Sequence, residues 1–149
     1  MKVLCVNAQT ALVVREAQVE SLVRAFLLWK GVVCQEVSLY LVDGETISQL
    51  HALYFEDPTP TDCISFPVDS VEERTDYRVL GDVFVCPEVA LKYAKQHNLS
   101  PLKELSLYII HGLLHLLGHD DECSAARLVM RTEESVAIEY LEEEGVLLS

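Results

Sequence analysis

Apolar positions divide the chain into strand-like and helix-like stretches. Met1 to Asn7 is a short apolar run that reads as a strand. From Val14 to Trp29 apolar residues recur at helical spacing (Val14, Val19, Leu22, Val23, Phe26, Leu27), and Gly31 supplies a stop. Val32 to Val42 alternates through Val37, Leu39 and Leu41 and reads as a strand. Asp43 or Thr46 caps a helix running to about Phe55, and Asp57-Pro58-Thr59-Pro60 is a loop. Cys63 to Phe66 is a short strand ended by Pro67. Val68 to Arg78 is a polar, hairpin-like excursion, and Arg78 to Cys86 is another strand. Helices follow: Pro87 to His97, then Ser100 and Pro101 as cap and first residue of a helix ending at Leu117 before Gly118, then Cys123 to about Glu144. Strands and helices do not alternate regularly. The expected fold is therefore α+β: a mixed sheet of about four strands packed with several helices.

Composition narrows the class. The chain has 149 residues, half of them hydrophobic, which suits one domain over residues 1–149 burying roughly 70% of its unfolded surface and excludes a disordered chain. Eleven Lys and Arg against 24 Asp and Glu give a net charge of −13. That charge excludes nucleic-acid binding through an overall positive field and leaves room only for a local basic patch. No apolar run approaches the roughly 20 residues of a membrane span. The N-terminus lacks the long apolar region of a signal peptide. The five cysteines (Cys5, Cys34, Cys63, Cys86, Cys123) form no CxxC pair and read as reduced thiols of a cytoplasmic protein.

The chemistry concentrates at residues 111–121, HGLLHLLGHDD. On a helix His111 and His115 lie one turn apart on one face, where both imidazoles reach a single metal ion. Leu105, Tyr108, Ile109, Ile110, Leu113, Leu114 and Leu117 surround them, so the helix is central and buried, and its imidazoles need partners. Gly118 permits a left-handed turn, after which the loop presents a third ligand. The spacing H-x-x-x-H-x-x-G-x-x-D matches the extended zinc signature of metzincin peptidases and puts Asp121 at the final position, with His119 and Asp120 as competitors. Cys123 is a weaker candidate, because it enters the last helix. The peptidase general base is missing: the residue after the first histidine is Gly112, not glutamate.

HGLLHLLGHDD resembles the HGxLHLxGYDH signature of the YbeY family of bacterial endoribonucleases and rRNA-maturation factors. Thr61 to Pro67, TDCISFP, is similar to the family's TDVLSFP, and Leu80 to Ala90, LGDVFVCPEVA, to its LGDIxIxPExA. The three blocks stand in family order. The resemblance implies a single α+β domain and one metal, usually zinc, on His111, His115 and Asp121, the last replacing the family's usual histidine. His119 stands where tyrosine is common. An aspartate ligand adds negative charge, makes bound water less acidic and shifts preference toward harder ions.

The implied activity is metal-dependent, single-strand-specific endoribonuclease action in rRNA maturation at the small-subunit 3′ end. The implied partners are rRNA and the small ribosomal subunit or an assembly protein, with no DNA or membrane. Asp62, Asp82 and Asp120 are the candidate general bases, each with an alternative local role in a turn or behind a ligand. Ser65 has no histidine placed to activate it. The family's usual arginine before TDCISFP falls on Phe55, and no Lys or Arg occurs from Gly31 to Glu73. Arg74 or Arg78 would have to replace it. Arg127 and Arg131, one turn apart near the metal loop, are the best positive patch among the basic residues, which also include Lys92, Lys95 and Lys103. The competing reading is a ribosome-assembly or protein-binding factor with a structural or vestigial metal site.

Overall fold

The alternation through Val37, Leu39 and Leu41 becomes the middle of a sheet in the computed structural model, which describes residues 1–149. The elements run β1 (Lys2–Ala8), α1 (Glu16–Trp29), β2 (Glu36–Val42), α2 (Gly44–Phe55), β3 (Cys63–Pro67), β4 (Val79–Val85), α3 (Pro87–His97), α4 (Pro101–Leu116) and α5 (Ser124–Glu143). Strand order is β1-β2-β4-β3. β1, β2 and β4 are parallel, and β3 is an antiparallel edge strand on β4. The fold is the expected α+β domain with a four-stranded mixed sheet.

Two boundaries move relative to the sequence reading. β2 begins at Glu36 rather than Val32, because Gly31 adopts a left-handed φ of 69° and the chain turns before pairing. The first helix begins at Glu16, two residues after its first apolar position.

The polar excursion at residues 68–78 is the connection of the β3–β4 hairpin. Arg78 holds it: its guanidinium donates to the carbonyls of Val33 (2.7 Å), Ser70 (3.2 Å), Val71 and Glu73. Gly81 has a φ of 147° at a bulge between β2 and β4, and a Cβ there would meet the Phe66 carbonyl at 2.4 Å. The bulge turns both Leu80 and Val83 into the core.

α4 is the core helix. Leu105, Ile109, Ile110, Leu113 and Leu114 are fully buried against α1, α3, α5 and the sheet. Each contributes about 1.5–3 kcal/mol by burial. Ser100 caps the helix by accepting from the Lys103 amide, and Gly118 ends it with a φ of 100°. Buried Ser106 donates to the Leu102 carbonyl and accepts from the Leu148 amide, which ties the C-terminus to α4. The other sheet face carries Tyr40, Phe66 and Phe84, partly covered by α2 through Ile47 and Leu50. Asp43 caps α2 through the Thr46 amide at 2.8 Å.

Candidate metal centre

α4 carries His111 and His115 on the face that meets the loop after Gly118. Their Nε2 atoms are 3.0 Å apart. Asp121 Oδ2 lies 3.6 Å from Nε2 of His111 and 3.7 Å from Nε2 of His115. Three donors at about 2.0–2.1 Å from a tetrahedral ion are spaced about 3.3–3.4 Å from one another. The observed triangle brackets that spacing, and its set of two imidazoles and one carboxylate suits a divalent transition metal. The donor set therefore fits a metal ion.

A partner from α5 orients the first imidazole. His111 Nδ1 lies 3.3 Å from Glu134 Oε1. A carboxylate only accepts, so Nδ1 carries the proton and donates, leaving the Nε2 lone pair aimed at Asp121 and His115. Burial disfavours the charged form of His111. The Glu134 hydrogen bond and the charges of Glu134, Asp62 and Asp121 outweigh it, so its pKa is raised above 6.5. His115 is lowered by burial and then by its proximity to His111, against the pull of Asp121. The two imidazoles are thus pushed apart in basicity, His111 the more basic.

Gly112 separates the two histidines because nothing larger fits. A Cβ there would lie 2.4 Å from Val83 Cγ1, 2.7 Å from Cys63 Sγ and 3.2 Å from Ser65 Oγ. The Gly112 carbonyl accepts from Ser65 Oγ at 2.9 Å. Ser65 is thereby committed to holding α4 against β3. A glutamate at position 112 is sterically excluded, so the departure from the peptidase motif is built into the packing. Cys63 is partly buried beside this contact, and burial, with the charge of Asp62, pushes its thiol pKa well up, which keeps it inert.

The centre opens on two clefts. One of about 880 Å³ reaches His111 and includes Asp62, Tyr108, Glu104, Glu134 and Arg131. The other, about 330 Å³, reaches His115 and Asp121 and includes His51, Phe55, Ser65 and Asp120. Asp62 thus shares a cleft with His111, and Asp120 shares one with His115 and Asp121. Asp120 also accepts from the Glu122 amide at 3.3 Å. Asp82 lines neither cleft. It alternates with Val83, which faces α4, and so belongs to the other face of the sheet. His119 is outside the donor trio. Cys123 caps α5 through the Ala126 amide. Burial, then Asp62, raises the pKa of Glu104.

The basic residues separate by role. Arg127 donates to the carbonyls of Asp121 (3.3 Å) and Glu122 (3.4 Å), bracing the loop rather than facing a ligand. Arg131 lines the larger cleft and is the one Lys or Arg in either. Arg74 and Arg78 line neither, and Arg78 is spent on the β3–β4 connection. Glu134 was not legible in the sequence. The acidic pattern of α5 does not distinguish it from Glu133, which pairs instead with Lys30.

Fold and site together define a class: an α+β domain whose buried helix carries a His-x-x-x-His pair closed by a carboxylate from the following loop. Residues 5–142 match the family model described as Endoribonuclease YbeY, and the chain belongs to that family. It is 44% identical to "Endoribonuclease YbeY" of Protochlamydia amoebophila, over 86% of this chain and 85% of that one. The Chlamydia trachomatis serovar D protein of the same name is 36% identical, over 87% and 81%. The Chlamydia felis protein, also so named, is 33% identical, over 100% and 96%. The solution structure of the Thermotoga maritima protein TM1509 shares the fold, with a TM-score of 0.67 and 23% identity over 96% of this chain and 91% of that one. No helix is long and apolar enough to cross a membrane.

Proposed function

We propose that this protein is a metal-dependent endoribonuclease that cleaves single-stranded RNA in rRNA maturation. It would act in the cytoplasm beside the small ribosomal subunit or an assembly protein. Zinc is the ion proposed, held by Nε2 of His111, Nε2 of His115 and Oδ2 of Asp121. The observation that carries this reading is the donor triangle of 3.0, 3.6 and 3.7 Å in a chain of the YbeY family. When bound, the ion polarises a phosphate oxygen and lowers the pKa of a coordinated water.

The chain's own residues supply orientation and proton acceptance. Glu134 fixes the His111 ring, and Arg127 holds the loop that presents Asp121. Asp62, in the cleft of His111, and Asp120, in the cleft of His115 and Asp121, are the proposed proton acceptors. Asp82, on the other face of the sheet, is left out. Arg131 is placed to meet a phosphate entering the larger cleft.

Purified protein stripped of metal, then reloaded, is assayed on single-stranded and ribosomal RNA beside His115→Ala. Cleavage is expected only in the reloaded wild type. Cleavage that survives loss of both the metal and His115 refutes the proposal. A protein that needs metal to fold but cleaves no RNA would instead be an assembly factor with a structural ion.

A further inference from the structure

The smaller cleft holds a half-exposed aromatic ring. Phe55, the last residue of α2, is 55% exposed and lines the cleft together with His115 and Asp121. Its neighbour Tyr54 packs edge-on against Phe66, at 5.0 Å between ring centroids. The one aromatic ring paired with Phe55 is His51, one helical turn back, at 5.6 Å and a 55° tilt. His51 is itself fixed, because its Nδ1 lies 2.9 Å from the Thr59 carbonyl and donates to it. The Phe55 ring is thus braced by His51 and lines the cleft that reaches His115 and Asp121.

Charge decides what such a wall can hold. The cleft contains no Lys or Arg, while Asp120, Asp121 and Glu122 line it. A phosphate backbone gains nothing from that surface apart from a bound metal. A nucleobase is uncharged and offers a π-face, which stacks on an aromatic ring without regard to sequence. A duplex keeps its base faces stacked on one another, so only an unpaired base is available. We infer that Phe55 is a base-stacking subsite for single-stranded RNA, seating the base next to the phosphate at the His111–His115–Asp121 centre. The inference rests on the ribonuclease reading above and gives its cleft a handle on the substrate other than charge.

Phe55→Trp tests it without any turnover. The wild type has one tryptophan, Trp29, stacked on Tyr140, and serves as the background. A short oligoadenylate is expected to quench the new fluorescence, and an abasic backbone of equal length is not. In the cleavage assay Phe55→Ala is expected to raise KM on single-stranded RNA roughly five- to a hundredfold, with kcat little changed and Phe55→Tyr restoring it. Phe55 is exposed, so these variants fold. A Phe55→Trp protein that oligoadenylate does not quench overturns the subsite, as does an unchanged KM in Phe55→Ala. If the wild type cleaves no RNA, quenching still supports the subsite while the ribonuclease reading falls. If it cleaves with no quenching, only the subsite falls.

Discussion

Gly112 is the residue on which the packing of the centre turns, and Gly112→Ala probes it. In a helix interior this change normally stabilises by about 1 kcal/mol, since alanine is the better helix former. Here the added Cβ meets Val83 Cγ1 at 2.4 Å and Cys63 Sγ at 2.7 Å. Carbon atoms pack at about 3.5–4.0 Å, so α4 must retreat from the sheet by roughly 1 Å. Such overpacking costs about 1–3 kcal/mol. The retreat also stretches the 2.9 Å bond from Ser65 Oγ to the Gly112 carbonyl, worth about 0.5–1.5 kcal/mol. Set against the helical gain, the net expectation is destabilisation by about 1–3 kcal/mol. For a chain of this size that lowers the melting temperature by about 2–12 °C, at about 2–4 °C per kcal/mol. Thermal unfolding of metal-free protein, followed by circular dichroism, measures it. A Gly112→Ala protein that melts at or above the wild-type temperature refutes the steric reasoning. It would also reopen position 112 to a larger residue.

Four further outcomes are expected. Glu134→Ala should weaken zinc binding about 10- to 100-fold in competition titrations, and Glu134→Gln less, because the amide still accepts from His111 Nδ1. Zinc affinity should fall as pH drops through the raised His111 pKa, above 6.5, because the proton competes with the ion. In metal-free protein the same raised pKa gives stability that is present below 6.5 and lost as pH rises through the folded value. Zinc titrations and melts across that range check both. The Lys30 ammonium holds the Glu133 carboxyl below its ordinary 4.5, so this pair stabilises the fold above about pH 4.5 and is lost as pH falls through the folded value. Lys30→Met should flatten the acid limb of denaturation curves.

The local features of the centre were legible because they depend on neighbours in sequence. Ser100, Pro101 and Gly118 bound α4 in the way that caps and stops dictate, and helical spacing alone puts His111 over His115. Asp121 could be ranked above His119 only through the spacing of a zinc signature. The loop shows the physical difference: Asp121 Oδ2 lies within 3.7 Å of both imidazoles, while His119 is outside the donor trio. What could not be read depends on docking between distant elements. Glu134 meets His111 only because α5 packs across α4. Arg78 looked like a spare cation, yet the hairpin connection surrounds it with carbonyls. Asp82 looked like a candidate base, and only its strand face, next to the Gly81 bulge, removes it from the centre.

The most direct test is a titration of zinc into stripped protein, with RNA cleavage and bound metal read on the same samples. Cleavage of single-stranded RNA should rise in step with zinc and stop rising at one ion per chain. Asp121→Ala should lose both signals, and His119→Ala should keep both. Cleavage that is already full before metal is added, or that persists in Asp121→Ala without bound zinc, would contradict the assignment of the His111–His115–Asp121 centre as the seat of the reaction.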